Sequence, residues 1–259
     1  MSNPYIPYEA VIKDLCQETD GARPIKTFTV EFKDEKTWDA FQQQPGQCAM
    51  VGIPGVGESM ISICSSPTQK GYLQFSIMQM GKVTTALHGL DSGDTITVRG
   101  PYGKQFPVDE WKGKKILTIG GGIGQAPLRP IINYVLDNRK DYAGLDLIYG
   151  ARSPEDLVFL EELQELGKGD QADVHLTVDN KAEGWSGNVG FVPTYLLDLK
   201  PSPKNTIAIT CGPPIMIKFV LQNLVELGFK DDQIFTTLEN RMKCGIGKCG
   251  KCNVGGVYV

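Results

Sequence analysis

The sequence predicts an antiparallel β-barrel, followed by an α/β domain with a parallel sheet and by a C-terminal cysteine-rich tail. Short runs of alternating or β-branched residues, separated by turn residues, fill the first hundred or so positions. Apolar strands then alternate with helical segments in the second half of the chain. Three of the seven cysteines stand close together near the C-terminus. We therefore expect domains at residues 1–109 and 110–238 and a tail at residues 239–259.

Six strands are predicted in the first domain, where Gly, Pro, Asp and Ser cluster between the apolar runs. They are EAVIKDLCQ, IKTFTVEF, QCAMVGI, SMISICSS, YLQFSIMQM and DTITVRG, and a short helix is expected at VTTALHGL. Many short strands at this spacing favour a closed antiparallel barrel.

The second domain begins after the polar, turn-like segment PVDEWKG. Its predicted strands are KKILTIGGGIG, LDLIYGAR, ADVHLTVD, NTIAITCG and QIFTTLE. The predicted helices between them are PLRPIINYVLDNRK, PEDLVFLEELQEL, VPTYLLDL and PPIMIKFVLQNLVELG. Strands that alternate with helices form right-handed βαβ units, so a parallel sheet is expected.

The composition and charge of the chain argue against some classes of function. Hydrophobic residues make up 41% and charged residues 22% of the chain, which is ordinary for a globular protein. The formal net charge is −4 without a dense Lys/Arg run, so nucleic acid is not an expected partner. No stretch approaches the roughly 18–20 apolar residues of a membrane span, and the N-terminus lacks a signal-peptide pattern. A cytoplasmic location is expected, where clustered cysteines suggest metal or redox chemistry.

Two loops at strand ends are candidate ligand sites. TIGGGIGQAPLRP allows close approach of the backbone to a ligand and opens a helix, whose N-terminal N–H groups favour phosphate. ITCGPPIM also joins a strand to a helix. Taken alone, the first could be a tight packing turn, and Cys211 in the second could be a small buried residue. Both loops should lie at the carboxyl edge of one parallel sheet, where such sheets bind ligands, and together they favour a site.

Three cysteines of the tail have the spacing C-x4-C-x2-C: Cys244, Cys249 and Cys252. This is the first part of plant-type ferredoxin spacing, which requires a fourth cysteine further on. Three cysteines and one more ligand would also suit structural zinc, although neither His88 nor His175 is nearby in sequence. The cysteines of the barrel strands are expected to be small buried residues: Cys16, Cys48 and Cys64.

The order of these motifs resembles a known family. RGPYGKQFPV, GGGIGQAPLRP, YGAR, CGPPIM and the terminal cysteines follow one another as in ferredoxin–NADP reductase-like flavoproteins. Nearly the whole chain is similar to prokaryotic electron-transfer subunits: those of hydrogenases (the gamma subunits), of anaerobic sulfite reductase, of heterodisulfide reductase (the flavin subunits) and of dihydroorotate dehydrogenase. The resemblance implies FAD in the barrel, a nicotinamide nucleotide on the parallel sheet and a [2Fe–2S] cluster in the tail. The fourth cluster ligand is then expected just after Val259, in a longer chain.

The resemblance places the flavin on two barrel segments. In SMIS, Ser62 matches the serine that faces the flavin ring. Ser59 and Ile61 stand where the family has an arginine and an aromatic residue, so the usual phosphate clamp and ring stack are missing. The second segment is a pyrophosphate loop at a helix N-terminus, and its matching positions are Gly81, Lys82, Val83 and Thr84. Lys82 is expected to supply the missing charge; without a ligand, this segment would simply be a short helix that caps the barrel.

The resemblance also implies the nucleotide contacts. The positions on the pyrophosphate side are Gly120, Gly121, Gly122 and Gly124. Cys211, Gly212 and Pro213 match the motif beside the nicotinamide, and Cys211 is the predicted catalytic residue, which positions the ring or guards access to it. Glu239 is a further candidate contact on the nicotinamide side, although a solvated carboxylate is the favoured interpretation of this residue.

Arg152 falls at the adenosine half of the nucleotide, where it would favour the 2′-phosphate of NADP. Glu155 and Asp156 follow closely and would repel that phosphate. NAD is therefore favoured, with NADP as the alternative coenzyme. A solvated loop arginine is the other interpretation of Arg152.

The resemblance implies an electron-transfer subunit of a hetero-oligomer. Hydride would pass between NAD(P)H and FAD, and single electrons would pass through the cluster to or from a partner redox subunit of hydrogenase, heterodisulfide reductase or sulfite reductase type. Because SMIS lacks the arginine and the aromatic residue, a passive adaptor that wires clusters without nicotinamide turnover is an alternative. A zinc-stabilised interaction module is the third hypothesis.

Overall fold

The computed structural model describes residues 3–238 and 242–258, and these form two compact units. The first, called the barrel unit, comprises Met1–Gln17, Ala22–Phe106 and Leu238–Val259. The second, called the α/β unit, comprises Glu18–Gly21 and Pro107–Thr237. The domain limits expected at residues 109 and 238 stay predictions. Glu239 lies outside the described residues.

The barrel unit is built on one six-stranded sheet. Its strands are β1 (Tyr8–Thr19), β2 (Ile25–Phe32), β3 (Cys48–Ile53), β4 (Gly57–Ser62), β5 (Leu73–Met78) and β6 (Thr95–Tyr102). Two short helices accompany them, α1 (Thr37–Ala40) and α2 (Lys82–His88), of which the sequence predicts only the second. The strand order is β4-β3-β6-β1-β2-β5, and the pairs β1–β6, β2–β5, β3–β4 and β3–β6 are antiparallel.

Two hydrogen bonds link the ends of this sheet. β4 and β5 stand last at either end of the strand order. Just after β4, the Cys64 N–H donates to the carbonyl oxygen of Gln74 in β5 at 2.9 Å. The Gln74 N–H donates in turn to Ser65 Oγ at 3.0 Å. The sheet therefore curls until its edges meet, and the predicted antiparallel barrel is confirmed.

The barrel core follows from the period of two along each strand, because alternate side chains point to the same face. Phe28 and Val30 of β2 and Ile96 and Val98 of β6 are buried in one cluster. The expectation for the barrel cysteines holds for Cys64, which is buried, whereas Cys48 is half-buried.

The same expectation is wrong for Cys16, which is exposed. Ala10 and Ile12 face the barrel core from β1. Asp14 and Cys16 continue the same alternation but are exposed, since the strand extends beyond the core that its first half covers.

The α/β unit contains a six-stranded parallel sheet. Its strands are β7 (Lys115–Gly121), β8 (Gly144–Ala151), β9 (Asp173–Val178), β10 (Asn188–Val189), β11 (Thr206–Cys211) and β12 (Ile234–Thr236). The helices are α3 (Gln125–Asp137), α4 (Leu160–Leu166), α5 (Val192–Leu199) and α6 (Pro214–Glu226). The order is β10-β9-β8-β7-β11-β12, and every described pair is parallel. All six residues of β11 are buried, as expected of a strand with both faces covered.

One predicted helix is wrong in its first half. The helix expected at residues 154–166 is regular only over α4, after a single 3-10 turn at Pro154–Asp156. The Val158 N–H donates to a tyrosine hydroxyl, and the Phe159 N–H donates to Glu18 Oε2 at 3.0 Å. Phe159 adopts a left-handed conformation, with φ of 60°. Tertiary hydrogen bonds thus take N–H groups that a longer helix would have used.

The tail carries two short antiparallel strands, β13 (Asn253–Val254) and β14 (Val257–Tyr258). Between Met242 and these strands the backbone forms bends and turns rather than regular structure. Among residues 3–238 and 242–258, no helix is long and apolar enough to cross a membrane. The cytoplasmic location stays a prediction.

Candidate functional site

The strand order places the nucleotide candidates at one point of the parallel sheet. From β7 the chain proceeds outward through β8 and β9, whereas from β11 it proceeds in the other direction to β12. β7 and β11 are neighbours, so the order reverses between them, and open α/β sheets bind ligands at such a switch point. The register pairs Gly120, one residue before the end of β7, with Cys211, the last residue of β11. The two loops that the sequence proposes are therefore brought together.

The two loops pack backbone against backbone. A Cβ atom on Gly124 would lie 2.6 Å from the Cys211 carbonyl carbon and 2.7 Å from the Gly212 Cα. Such distances are too short for any side chain, so only glycine permits this approach. Gly122, by contrast, has open space on its Cβ side and a φ of +53°. The loop is thus fixed by close packing on one side and remains accessible on the other.

Tyr149 supports the glycine loop through a hydrogen bond. Its side chain is completely buried in β8. The hydroxyl donates to the Gly122 carbonyl oxygen at 3.0 Å and accepts from the Val158 N–H at 2.9 Å. Burial raises the pKa of Tyr149, so the hydroxyl keeps its proton and its role as donor. The sequence reasoning missed this residue, although a tyrosine near the end of a largely apolar strand, in YGAR, is the signal that could have identified it.

Gln125 adds an unsatisfied donor at the same place. It is the first residue of α3, directly after the glycine loop, and only 1% of it is exposed. Its Nε2 has no hydrogen-bond partner among the described residues. A buried amide donor without an acceptor is costly, and an oxygen of a bound nucleotide would satisfy it. The loop, the helix start and this amide together fit a nucleotide.

The predicted adenosine end is richer in carboxylates than the sequence reasoning recognised. Arg152 is exposed just after β8, and Asp179 follows β9. The Asp179 N–H donates to the Ala151 carbonyl oxygen at 3.0 Å, which ties the two strand ends together. The pKa of Asp179 is raised, mainly by burial. The nearby charge of Arg152 lowers this pKa, and that of Asp156 raises it. These charges therefore lie close enough to interact, and Asp179 is a candidate missed from the sequence.

The two predicted flavin segments are adjacent in the barrel unit. A Cβ atom on Gly57 of β4 would lie 3.3 Å from Val83 Cγ2 in α2. Residues 59–62 are all half-buried. Ile61 pairs with Ala49 in the sheet register and packs against the barrel core. At least part of the Ile61 side chain therefore fills the core, where the family pattern has an aromatic residue.

Thr84 holds the loop before α2 in shape. Its Oγ1 accepts from the Met80 and Gly81 N–H groups at 2.9 Å each, and it donates to the Gly81 carbonyl oxygen at 3.2 Å. The N–H groups of the first helical residues have no acceptor within a helix. Gly81 and Lys82 are exposed, with open space around the Gly81 Cα. The loop is accessible to an anionic group and fits a flavin pyrophosphate.

The tail contains a site that stabilises a thiolate. Cys244 Sγ accepts from the Lys248 N–H at 3.3 Å and from the Cys249 N–H at 3.4 Å. Backbone N–H groups, that of Ile246 first, lower the pKa of Cys244 to about 6. The thiolate is the form that binds metals, so this donor fits an iron–sulfur cluster. Cys249 is exposed, and Cys252 is buried.

The cysteines do not surround a single point. Within the described part of the chain, no three His, Cys, Asp or Glu side chains gather as they would around one metal ion. A [2Fe–2S] cluster takes four thiolates as two pairs, one pair on each iron. The Cys249 N–H donates to Cys244 Sγ, so the tail places these two cysteines next to each other.

Comparison with known proteins decides the family. The family described as "Oxidoreductase FAD-binding domain" matches residues 16–106, and "Oxidoreductase NAD-binding domain" matches residues 118–222. Sulfhydrogenase 1 subunit gamma of Pyrococcus furiosus is 42% identical over 256 residues, which cover 98% of this chain and 86% of that protein. A probable dihydroorotate dehydrogenase B (NAD(+)) electron transfer subunit of Methanocaldococcus jannaschii is 35% identical, covering 94% of this chain and 82% of that one. The chain belongs to this family of electron-transfer flavoprotein subunits.

The fold of the family is that of ferredoxin–NADP reductase. The solved ferredoxin-NADP+ reductase from Plasmodium falciparum superposes with a TM-score of 0.74 over 90% of this chain and 96% of its own, at 15% identity. The predicted family, the barrel and α/β architecture, and the assignment as an FAD- and NAD-binding oxidoreductase are confirmed. The roles of the individual site residues and the cluster in the tail stay predictions.

Proposed function

We propose that this flavoprotein passes electrons between NAD(P)H, FAD and a [2Fe–2S] cluster in its tail, to or from a partner redox subunit. The observation that carries the proposal is the thiolate-stabilising turn at Cys244, which belongs to a chain with FAD-binding and NAD-binding domains. A stabilised thiolate is a metal ligand, and in a chain with these two domains an iron–sulfur cluster gives it a role in electron transfer. Bound FAD exchanges hydride with nicotinamide and also releases electrons singly, which is the chemistry that a cluster requires.

The nucleotide is proposed to bind at the switch point between β7 and β11. The glycine loop and the N-terminus of α3 offer N–H groups to the pyrophosphate, and Gln125 offers its amide. Gly120, Gly121, Gly122 and Gly124 keep this surface free of side chains. At the other loop, Cys211, Gly212 and Pro213 would border the nicotinamide, with Cys211 positioning the ring.

NAD is the proposed coenzyme. Asp179 lies close enough to interact with Arg152, whose charge is therefore partly offset, and it also interacts with Asp156. The 2′-phosphate of NADP would lie near the carboxylates of Asp156 and Asp179 as well as near Arg152. Repulsion between the phosphate and the two carboxylates would disfavour its binding. The ribose diol of NAD can instead donate hydrogen bonds to the same carboxylates.

FAD is proposed to bind at β4 and the loop before α2. The N–H groups of residues 82–84 and the ammonium of Lys82 would hold the pyrophosphate, and Ser62 would face the flavin ring. Ser59 offers no charge, and Ile61 is partly engaged in the barrel core. Lys82 is therefore the proposed source of positive charge in this segment.

The partner is proposed to be a redox subunit of a hetero-oligomer in the cytoplasm. The relatives carry names of subunits, of sulfhydrogenase and of dihydroorotate dehydrogenase B. Cys244, Cys249 and Cys252 would hold the cluster near the surface, where it could exchange electrons with a second protein. A partner of hydrogenase, heterodisulfide reductase or sulfite reductase type would suit this arrangement.

The test is a visible spectrum of the full-length protein purified without oxygen, recorded before and after addition of NADH and then of NADPH. We expect flavin bands near roughly 450 nm over broad cluster absorption, bleached by NADH more readily than by NADPH. Iron and acid-labile sulfide would be measured in the same sample, with zinc. Colour that neither nucleotide bleaches would favour the passive adaptor, which Ser59 and Ile61 already suggest. A colourless protein containing zinc would overturn the proposal.

A further inference from the structure

Arg99 of β6 is a buried cation in the barrel unit. Only 6% of its side chain is exposed. A buried guanidinium is tolerated when its N–H groups are paired and is strongly destabilising when they are not. The hydrogen-bond partners of Arg99 therefore indicate its structural role.

The partners of Arg99 belong to three separate parts of the chain. Arg99 Nε donates to Glu58 Oε2 at 2.7 Å, and Nη2 donates to the other oxygen of Glu58, which lies in β4. Nη1 donates to the Tyr102 hydroxyl at 2.9 Å and to the Cys244 carbonyl oxygen at 3.0 Å. Arg99 thus ties the tail to the strand that carries the predicted flavin motif. It is not available as the phosphate clamp that is missing at Ser59.

Tyr102 makes a second set of contacts, to the tail and to the N-terminal segment. Its hydroxyl donates to the Pro4 carbonyl oxygen at 2.9 Å. Its ring lies directly against Gly245, where a Cβ atom would be 2.6 Å from Cδ2, and Gly245 has a φ of +73°. The Lys248 ammonium stands 5.8 Å from the centre of the Tyr5 ring. Cys244 and two of the residues that follow it, Gly245 and Lys248, are therefore contacted by β6 and by the N-terminal segment.

We propose that Arg99 is a positioning residue that anchors the cysteine tail to β4 and so fixes the place of Cys244. Bends and turns rather than regular structure surround Cys244, so contacts from outside the tail help to order this segment. Hydrogen bonds to a charged donor are the strongest of those available. The proposal rests on the proposed function where it concerns the cluster, because a fixed cluster keeps a fixed distance from the flavin strand and electron tunnelling falls steeply with distance.

The test compares variants of the full-length protein purified without oxygen. Arg99→Met removes the donors, and Arg99→Lys keeps the charge but loses the fork geometry. Arg129→Met is the matched control, since Arg129 makes a similar two-oxygen pair with Glu162 inside the α/β unit. The readouts are amide hydrogen exchange of residues 242–258 and the electron paramagnetic resonance spectrum of the chemically reduced cluster.

In Arg99→Met we expect amides of the tail to exchange at least about tenfold faster, because a charged hydrogen bond to the tail is lost. The cluster spectrum should broaden or shift. Arg99→Lys should lie between this variant and the original protein, and Arg129→Met should leave both readouts of the tail unchanged. Unchanged exchange of the tail amides in Arg99→Met would overturn the proposal.

The outcomes separate this inference from the proposed function. If the original protein contains no cluster, the proposed function fails, while hydrogen exchange still tests the anchor. If the cluster is present and exchange does not respond to Arg99, the anchor fails alone. Should Arg99→Met not fold, Tyr102→Phe removes one hydroxyl and leaves the packing. It should speed exchange several-fold in the tail and around Pro4, and the absence of any such change would then refute the anchor.

Discussion

The nucleotide loops of the α/β unit and the cysteine tail of the barrel unit are built on different physical principles. The two loops at β7 and β11 are buried where they meet, and their shape depends on backbone atoms that approach closely at Gly124. The tail is mostly exposed, and its position depends on side chains that reach it from elsewhere, above all Arg99.

This difference determines how far each site can be recognised from sequence. Close backbone packing requires glycine at particular neighbouring positions, so the nucleotide loops can be recognised within a dozen residues. The anchor of the tail joins residues that are 41 positions apart, Arg99 and Glu58, and 145 positions apart, Arg99 and Cys244. No local pattern connects them. Substitutions in the two sites should therefore have different consequences.

Cys244→Ala tests the tail most severely. It removes the thiolate whose N–H partners lower its pKa, and the remaining cysteines of the tail cannot complete two pairs of ligands. We expect iron and acid-labile sulfide to fall to background, while the FAD content per protein stays unchanged. Metal analysis and the flavin spectrum of the same sample measure this.

Cys16→Ala is the control for Cys244→Ala, since Cys16 is also a thiol outside the barrel core. Its iron content should equal that of the original protein. Retention of iron in Cys244→Ala would show that the cluster, if there is one, is held elsewhere, and the contrast between the two sites would lose its basis.

Gly124→Ala tests the close-packed site. The added methyl group would collide with the backbone of Cys211 and Gly212, and neither loop can move without disturbing β11. We expect a loss of about 3 kcal/mol in the free energy of unfolding, at the upper end for overpacking. Urea denaturation followed by fluorescence measures it, together with the dissociation constant of NADH.

Gly169→Ala is the matched control in the same unit, where the new methyl group would meet only a carbonyl oxygen at an ordinary 3.5 Å. It should change stability little or raise it slightly, because alanine restricts the unfolded chain. A Gly124→Ala protein as stable as this control would mean that the two loops are not held together as tightly as their geometry requires.

The parts of the fold that follow from periodicity could be predicted from the sequence. Alternation in the barrel strands and buried runs in β7 and β11 indicated the architecture. The helix expected at residues 154–166 was wrong in its first half, because Val158 and Phe159 donate their N–H groups to distant acceptors. Such acceptors come from tertiary structure, which a window of sequence does not contain.

The residues of the candidate site also divide into those that local sequence identifies and those that it does not. The glycines and Cys211 were identified from their loops, whereas Tyr149, Gln125 and Asp179 were missed. Tyr149 and Asp179 act through neighbours that only the sheet order supplies: Tyr149 reaches the loop after β7 from β8, and Asp179 meets Arg152 across two strand ends. The next substitution concerns the first of them.

Tyr149→Phe tests whether the glycine loop depends on a side chain after all. It leaves the buried Val158 N–H and the partly buried Gly122 carbonyl without this partner. We expect a loss of about 1.5 kcal/mol in stability and weaker binding of NADH, since the loop is no longer held in shape. Tyr142→Phe is the control: its buried hydroxyl donates to the Val108 carbonyl oxygen, so stability should fall without any change in NADH affinity. Equal NADH affinity in both variants would show that backbone packing alone shapes the loop.

Lys82→Ala should have a weaker effect than the other substitutions. It tests whether the proposed flavin loop holds phosphate through a charged side chain or through backbone N–H groups. Lys82 is exposed, and its attraction for a phosphate is screened by solvent and salt, so we expect the FAD dissociation constant to rise only about two- to fivefold. That difference should shrink as ionic strength rises. Lys70→Ala is the control, an exposed lysine of the same unit outside the proposed site. If Lys82→Ala binds FAD as tightly as Lys70→Ala at every salt concentration, the loop holds its phosphates through backbone N–H groups ordered by Thr84. The flavin loop would then resemble the nucleotide loops, which are shaped by backbone atoms, rather than the tail, which is anchored by a charged side chain.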